Sequence, residues 1–437
     1  MPNPDVTQVC AGHGELTSES RSETLKQKKN FREMTVSCAL TGLLLGATAV
    51  NGQEEAESSF AQALRDGSVT LALRYRYELV DQDGFDSDAN ASTLRTRLTY
   101  NSADFKDFSL LLEMDDLRPV GDDSFNSTRN GNTSRPVVAD PKGTDLNQAG
   151  IRYTGFSDTE IMFGRQRINH SNQRFIGGVG WRQNEQTYDA LEISHSISDS
   201  FQARYTYITN VNRIFGPNSG VPAGDLRSSS HLLDASYDLT DAVSLTGYGY
   251  LLDFDKAAAF STQTLGLRLA GTHEFNEQVS LPYTVEYARQ GDYADNPIGY
   301  DADYYLLEAG LRWASYSVKL GYEVLEGNGM AGQAFRTPLA TLHAFQGWAD
   351  KFLATPSSGI EDTYVAFTGR VGSVNLVAVY HDFSANSGGG SHGDEIDLSA
   401  GWSFADNFSL LLKYASYSAD GFATDTDKFW VMLSGSF

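Results

Sequence analysis

Two cysteines occur in 437 residues, Cys10 and Cys38, and prolines number only 11. No thiol remains beyond position 38, so the long remainder is neither a disulfide scaffold nor a Cys-ligated metal protein. Basic residues are also scarce, 33 against 56 acidic ones for a formal net charge of -23. A chain without Lys and Arg excess cannot draw its affinity from a phosphate backbone, which excludes a nucleic-acid partner. After residue 52 no apolar run is long enough for a membrane-crossing helix, so a polytopic helical membrane protein is excluded. Disorder is excluded too, because 41% of the residues are hydrophobic. What the chain does have is glycine, 41 residues, and ring side chains led by 24 Phe and 22 Tyr against 5 Trp. Its length matches roughly three average domains, although all-β barrels reach it as single units.

Residues 26–52 run from a basic stretch through an apolar segment, Val36 to Val50, into small residues and then Gln53-Glu54-Glu55. That order is the one of a secretory signal peptide, with Ala47-Thr48-Ala49 or Gly52 at the cut. The polar first 24 residues are unusual for a signal. Initiation at the codon for Leu25 would give a conventional basic start, whereas Met34 would discard Lys26, Lys28, Lys29 and Arg32. The expected division is therefore 1–52 as a removed leader and 53–437 as the exported chain. Both cysteines fall in the leader, and the exported part keeps 28 basic and 51 acidic residues. All of the net acidity is exported.

Beyond a short, helix-compatible stretch at Ser58 to Arg65, apolar and polar residues alternate with period 2. At 69–79 Val69, Leu71, Leu73, Tyr75, Tyr77 and Leu79 share one face, opposite Thr70, Arg74, Arg76 and Glu78. At 93–100 Leu94, Leu98 and Tyr100 stand opposite Arg95 and Arg97. Counting every such segment through 428–437 predicts 18 strands, each about long enough to cross an outer membrane at a tilt. The connections alternate between short polar turns, such as Ser196 to Ser200, and long ones, such as Asn169 to Gln186 and Glu326 to Glu361. A soluble sandwich has no reason to sort loops by parity, whereas an outer-membrane barrel keeps short turns at its periplasmic rim and long loops outside. The last strand places Phe429, Val431, Leu433 and Phe437 on one face and ends on Phe437. Such an ending resembles the signal read by the bacterial barrel-assembly machinery. The expected fold is an all-β, antiparallel transmembrane β-barrel of 18 strands in the bacterial outer membrane, in contact with lipid and lipopolysaccharide.

If the apolar faces meet lipid, twelve basic and ten acidic residues point inward. Arg74, Arg76, Arg95, Arg97 and Arg152 then form a basic wall on the early strands, while Glu308, Arg312 and Glu323 line the later ones. Two readings stand side by side. Cross-strand charge ladders support a wet wall, and a basic wall attracts anionic solutes. The acidic segments 81–88 and 420–427 have carboxylate spacing reminiscent of calcium loops, but their glycines do not fit the EF-hand pattern. No metal or cofactor is expected.

Two segments break the alternation. Residues 163–191 set Arg165, Arg167, Arg174 and Arg182 among Gly177, Gly178, Gly180 and Trp181. Residues 335–365 carry Leu339, Leu342, Phe345, Trp348 and Phe352, too apolar to leave in water, so this loop is expected to fold into the barrel or cap it. At these residues the chain resembles the alginate-export family of outer-membrane porins. The matching pieces are Arg-Tyr-Arg-Tyr-Glu at 74–78, Leu-Arg-Thr-Arg-Leu at 94–98, Gly-Arg-Gln at 164–166, Trp181-Arg182-Gln183 and Thr337-Pro338-Leu339. The resemblance implies an 18-stranded barrel whose pore arginines would be Arg74, Arg95, Arg97, Arg152 and Arg165. It also implies a gating loop carrying Thr337, His343, Trp348 and Lys351. Luminal carboxylates such as Glu308 and Glu323 depart from a uniformly electropositive tunnel.

The expected function is a water-filled porin channel for small hydrophilic solutes, anionic or sugar-like, with no covalent chemistry. The alternative is a dedicated export porin for an acidic exopolysaccharide such as alginate. A barrel hydrolase is the reading from a different class, and its one compact candidate set is His381, Asp382 and Ser384.

Overall fold

The alternating segments fold as strands that meet end to end in a ring. The structure, a computed structural model, describes residues 59–437, so the leader and its cleavage site lie outside the described residues. A short helix, α1 (Phe60–Arg65), comes first, with the Ser59 hydroxyl capping the Gln62 N–H at 3.1 Å. It rests on the first turn of the barrel, where the Tyr100 hydroxyl donates to the Leu64 carbonyl at 2.6 Å.

Eighteen strands follow, from β1 (Ser68–Gln82), β2 (Ala89–Asn101), β3 (Phe108–Ser124), β4 (Gly143–Phe156), β5 (Thr159–Gln166) and β6 (Thr187–Ser198). The middle of the chain gives β7 (Phe201–Asn212), β8 (Asp225–Thr240), β9 (Val243–Leu252), β10 (Thr262–Asn276), β11 (Val279–Asp292) and β12 (Asp301–Trp313). The last six are β13 (Tyr316–Glu326), β14 (Gly359–Val371), β15 (Val374–Ser384), β16 (Ser391–Phe404), β17 (Phe408–Ala419) and β18 (Thr426–Ser436). Each strand pairs antiparallel with its sequence neighbours, and β1 also pairs with β18, with Tyr75 opposite Leu433. Closure leaves no edge N–H or C=O to face hydrocarbon, where an unpaired one would cost several kcal/mol.

The face assignment holds. On β1 the side chains of Arg74, Arg76 and Glu78 are buried inside, while Val69 is 63% exposed on the outer face. Leu265 and Leu320 are likewise about two-thirds exposed outward, at 65% and 63%, so apolar surface clothes the exterior where lipid would be. Aromatic pairs ring both rims of that surface. Trp313 and Tyr316 lie 6.1 Å apart and Phe408 and Phe437 5.6 Å apart at the rim of α1, while Tyr287 and Tyr305 lie 5.4 Å apart at the other. Loop parity is equally clear. The connections 157–158, 199–200, 241–242, 277–278, 314–315 and 372–373 have two residues each, whereas 125–142, 167–186, 213–224 and 327–358 have 18, 20, 12 and 32.

Several strands run further than their alternation. β3 continues to Ser124 although the pattern fades at residue 115, and β8 begins at Asp225, six residues before its pattern starts. These extensions lie at the long-loop rim, beyond the lipid band, where hydrocarbon no longer imposes a two-faced pattern.

The interior is not empty. The β5–β6 loop (167–186) and the β13–β14 loop (327–358) both turn into the lumen and pair there, with Gly177 N–H donating to Leu339 C=O at 2.9 Å and Thr341 N–H to Gln173 C=O at 3.1 Å. A side chain at Gly177 would place its Cβ 2.3 Å from the Thr341 hydroxyl, so this crossing needs glycine. Phe175 packs against Tyr248, Tyr304 and Phe335 with centroids 5.3, 5.3 and 5.9 Å away. Inward-facing Tyr188, Ile208, Leu232 and Tyr304 are fully buried under it. Along the luminal face of β12, Arg312 is exposed, Glu308 half-buried, and Leu306, Tyr304 and Ala302 buried. The loops thus fill the outer part of the lumen and leave a polar vestibule at the short-turn end.

This sidedness makes a prediction within one strand. Leu267→Lys, on the lipid face of β10, should destabilise the bilayer-inserted barrel by about 2–4 kcal/mol, while Ala270→Lys on the luminal face should change it by under about 1 kcal/mol. Reversible denaturant titration of barrels folded into vesicles reads the difference.

Candidate functional site

The two inserted loops are held by charge against the wall on either side of the β18–β1 closure. Arg74 on β1 donates through Nε to Gln183 Oε1 at 2.8 Å and through Nη1 to the Gly180 carbonyl at 3.0 Å, with a further bond to the Arg182 carbonyl. Arg76 donates to the Trp181 carbonyl at 2.5 Å and pairs with Glu78 at 2.7 Å. Three consecutive loop carbonyls are therefore satisfied by wall arginines, which is what lets irregular backbone lie inside a barrel. Arg182 returns the contact, pairing with Glu78 at 3.1 Å and, across to the other loop, with Asp350 at 3.2 Å. Burial opposes the Arg182 charge, but Glu78, Asp140 and Asp350 together raise its pKa above the ordinary guanidinium value.

Next to this cluster Arg97 on β2 bonds Asp115 on β3 at 2.6 Å and Glu185 of the loop at 2.7 Å. Arg167, at the base of the same loop, reaches Glu185 at 2.5 Å and Glu113 at 3.2 Å. Burial alone would raise the Glu185 pKa, but Arg97 and Arg167 hold it at about 2. Opposite, Glu323 on β13 accepts from Arg174 at 2.7 Å and from the Tyr304 hydroxyl at 2.7 Å. On β16 the buried carboxyls of Glu395 and Asp397 take the Ala349 and Trp348 N–H groups at 2.6 and 3.1 Å. The intervening Gly347 has φ +81°, and a Cβ there would lie 2.3 Å from Glu395 Oε2.

The residues expected from sequence divide into groups. Arg74, Arg76, Arg95 and Arg97 do form one inward cluster, but all are buried. Arg152 lies deeper, in the vestibule, with a side chain 48% exposed beside Ser109 and Glu160. Arg312 is exposed there as well, and Glu308 is bound to Lys319 at 2.5 Å and to the Tyr364 hydroxyl at 2.6 Å. Arg165 is a correction. It has the parity of lipid-facing Ile161 and Phe163 and pairs with Asp189 at 2.8 Å, because the strand ends at Gln166 and the residue sits on the outer face at the rim.

On the β13–β14 loop Thr337 accepts from Arg174 at 3.3 Å, and His343, Trp348 and Lys351 sit with Asp350 among wall cations. Burial, with Lys413 adding, lowers the His343 pKa from 6.5 to about 3 against the pull of Asp350. Burial also lowers Lys351 from 10.5 to about 8, helped by Lys428. Asp350, Lys413 and Trp430 belong to this site, and of them the sequence pointed only to Lys413, as one of the twelve inward basic residues. Each reads as an ordinary loop or strand residue until the fold brings β17, β18 and the two loops together.

The hydrolase set does not assemble. His381 points inward and bonds Asp362 on β14 at 2.9 Å, whereas Asp382 and Ser384 have the opposite parity on β15. The acidic loops 83–88 and 420–425 run side by side, with Asp83 N–H donating to the Asp425 carbonyl at 3.0 Å. Among the described residues no group of His, Cys, Asp and Glu is arranged to hold a metal ion.

Comparison with known proteins places this architecture. Residues 66–215, which span β1 to β7 and the β5–β6 loop, match the alginate export family. Over that third of its length the chain is similar to the family, and its barrel shares the fold of solved structures. OccAB2 of Acinetobacter baumannii is similar in structure at 17% identity and a TM-score of 0.68, over 86% of this chain and 99% of that one. OpdL of Pseudomonas aeruginosa matches at 16% identity and 0.64, over 86% and 99%. OccD3 (OpdP) of Pseudomonas aeruginosa matches at 15% and 0.66, over 90% and 95%. At such identities the shared property is the fold. No curated protein matches by sequence.

Two measurements probe how this barrel holds its loops. Arg182→Met should destabilise the loop-docked state by about 3 kcal/mol, the lower range for breaking a buried ion pair, since Glu78 keeps Arg76 and Asp350 keeps Lys428. Thermal melts of the detergent-folded barrel read this loss. His343 adds a pH dependence of known sign. Its pKa is depressed in the folded state, so its contribution is complete above 6.5 and is lost as pH falls from there toward about 3. Melts of the protein and of His343→Gln between pH 7 and 4 should therefore converge or cross in favour of the variant as pH drops. The carboxylates common to both cancel in the difference.

Proposed function

We propose that the protein is a selective diffusion channel for small hydrophilic solutes, anionic or sugar-like, with the two inserted loops forming its constriction. Charge geometry, with no covalent step, does the sorting. The observation that carries this reading is Arg95. It is buried on β2 beside Arg74 and Arg97, and its Nε and Nη1 have no hydrogen-bond partner within the protein, Glu185 lying at 3.7 Å. A guanidinium so loosely balanced keeps a positive field at the wall, which favours an anionic solute in the passage. Exposed Arg312 and Arg152 carry positive charge down the vestibule.

Export of an acidic polysaccharide is the second reading, favoured by the family match over residues 66–215. Against it, most donors of Arg74, Arg76 and Arg97 are taken by loop carbonyls and carboxylates, which leaves no continuous arginine ladder for a polyanion. We also infer that the leader to Gly52 is removed on export. The terminal Phe437, whose N–H and C=O both bond Leu71 on β1 at 2.9 Å, is then the residue offered to the assembly machinery, and the long-loop rim is the side that meets lipopolysaccharide.

Planar-bilayer recording tests the channel. The wild-type barrel should conduct with anion preference, and Arg95→Gln should shift the reversal potential toward cations without changing the melting temperature by more than a few degrees. Strong cation preference in the unmodified barrel would sink the basic-wall reading, and block by oligouronates at low concentration would favour export.

A further inference from the structure

Lys413 points inward from β17, and its ammonium lies among three of the chain's five tryptophans. Nζ is 3.5 Å from the Trp348 ring centroid, 4.2 Å from that of Trp181 and 5.4 Å from that of Trp430. It also lies 2.6 Å from His343 Nε2. His343 Nδ1 is 2.8 Å from Asp350, so a proton on Nδ1 leaves Nε2 free to accept from the lysine. The same Asp350 takes Lys428 on β18 at 2.7 Å.

Three separate bodies meet at this one ammonium. Trp181 belongs to the β5–β6 loop, Trp348 and His343 to the β13–β14 loop, and Lys413 and Trp430 to the wall beside the β1–β18 closure. Trp181 and His343 stack with centroids 4.5 Å apart and planes 3° apart, while the Arg76 guanidinium lies 4.4 Å from the same indole. Among the described residues no carboxylate lies within ion-pair distance of Lys413, so indole faces and one imidazole nitrogen replace its water. Cation–π attraction is strongest for a desolvated cation over indole, which makes this cage an energetic joint as well as a packing contact. A hydrophobic side chain would fill the space but would attract neither loop in particular.

We propose that Lys413 is the positioning residue of the constriction: its caged ammonium locks both inserted loops to the closure wall in one arrangement. The proposal rests on the channel reading only where it concerns conductance. Loop docking is a separate observable.

Amide hydrogen exchange of the full-length, detergent-folded protein tests the docking. In Lys413→Met, which keeps the length and removes the charge, residues 177–183 and 341–352 should exchange about tenfold faster or more, with β10 to β12 unchanged. Lys413→Arg keeps a cation over the rings and should retain most of the protection. Indole emission, to which the three cage tryptophans contribute, should shift in the Met variant and not in the Arg variant. In bilayers the Met variant should flicker between levels where the parent holds one. Unchanged exchange in Lys413→Met, or equal acceleration in Lys413→Arg, overturns the proposal. If Lys413→Met does not fold, Trp348→Leu opens the cage from the loop side and must speed the same two segments. A parent barrel that never conducts would defeat the channel reading while exchange still decides the role of Lys413.

Discussion

Everything in this structure follows from the inability of hydrocarbon to hydrogen-bond a peptide group. A chain that crosses lipid as strands must pair every backbone N–H and C=O with another strand, so the sheet has to close, and here β1 completes the ring by pairing with β18 along eleven residues, Ala72 to Gln82. Closure then dictates sidedness. Leu, Val and aromatic side chains are driven outward, and the charged partners of each alternation are driven into a shared interior, where they are too numerous to be left unpaired.

That interior inverts the usual order of a folded domain. The apolar core is small and lies inside the ring, built by Phe175, Ile176, Phe335 and Leu339 of two inserted loops against inward Tyr188, Ile208, Leu232 and Tyr304. Around it runs a band of ion pairs that belong jointly to wall and loops. Buried ion pairs are weak sources of net stability because desolvation offsets much of the attraction. Their value here is geometric. Arg74 and Arg76 can satisfy the carbonyls of residues 180–182 in one register only, and Glu395 with Asp397 can accept the N–H groups of 348 and 349 only when Gly347 turns through positive φ. Charge therefore specifies where the loops stop, and with that the shape of the passage a solute would meet.

The net charge of -23 takes on a different meaning in this light. The interior approaches balance because the luminal carboxylates Glu78, Glu113, Asp115, Glu308 and Glu323 are each held by a cation, while Glu395 and Asp397 take loop N–H groups. Unpaired acidity collects at the long-loop rim, in stretches such as 81–88 and 420–427, where carboxylates meet water. An arginine-rich wall read as an open electropositive surface proves mostly occupied. Arg95, only loosely balanced by Glu185, and the exposed Arg152 and Arg312 are the parts of it whose charge still reaches a passing anion.

Strand number, the inward and outward faces and the parity of the loops were all legible in the linear chain, because lipid on one side and water on the other write a period of 2 into any strand that crosses. Strand ends were less legible, as at 116–124 of β3 and 225–230 of β8, since above the lipid band both faces meet polar surroundings and the period fades. The inserted loops announced themselves by apolar content that water would not tolerate, but their partners did not. Arg165 was misplaced because an arginine at a strand end looks the same whether it faces lumen or rim. Asp350 and Trp430 carried no signal and Lys413 only its inward direction, since the three are separated by 17 to 80 positions and joined only when the ring closes and two loops fold back against its seam. The sequence by itself determined a closed, lipid-facing barrel, because that is a local alternation repeated eighteen times. Only the tertiary structure decided which charges remain free to select a solute, because pairing inside the lumen is a non-local contest that periodicity cannot record.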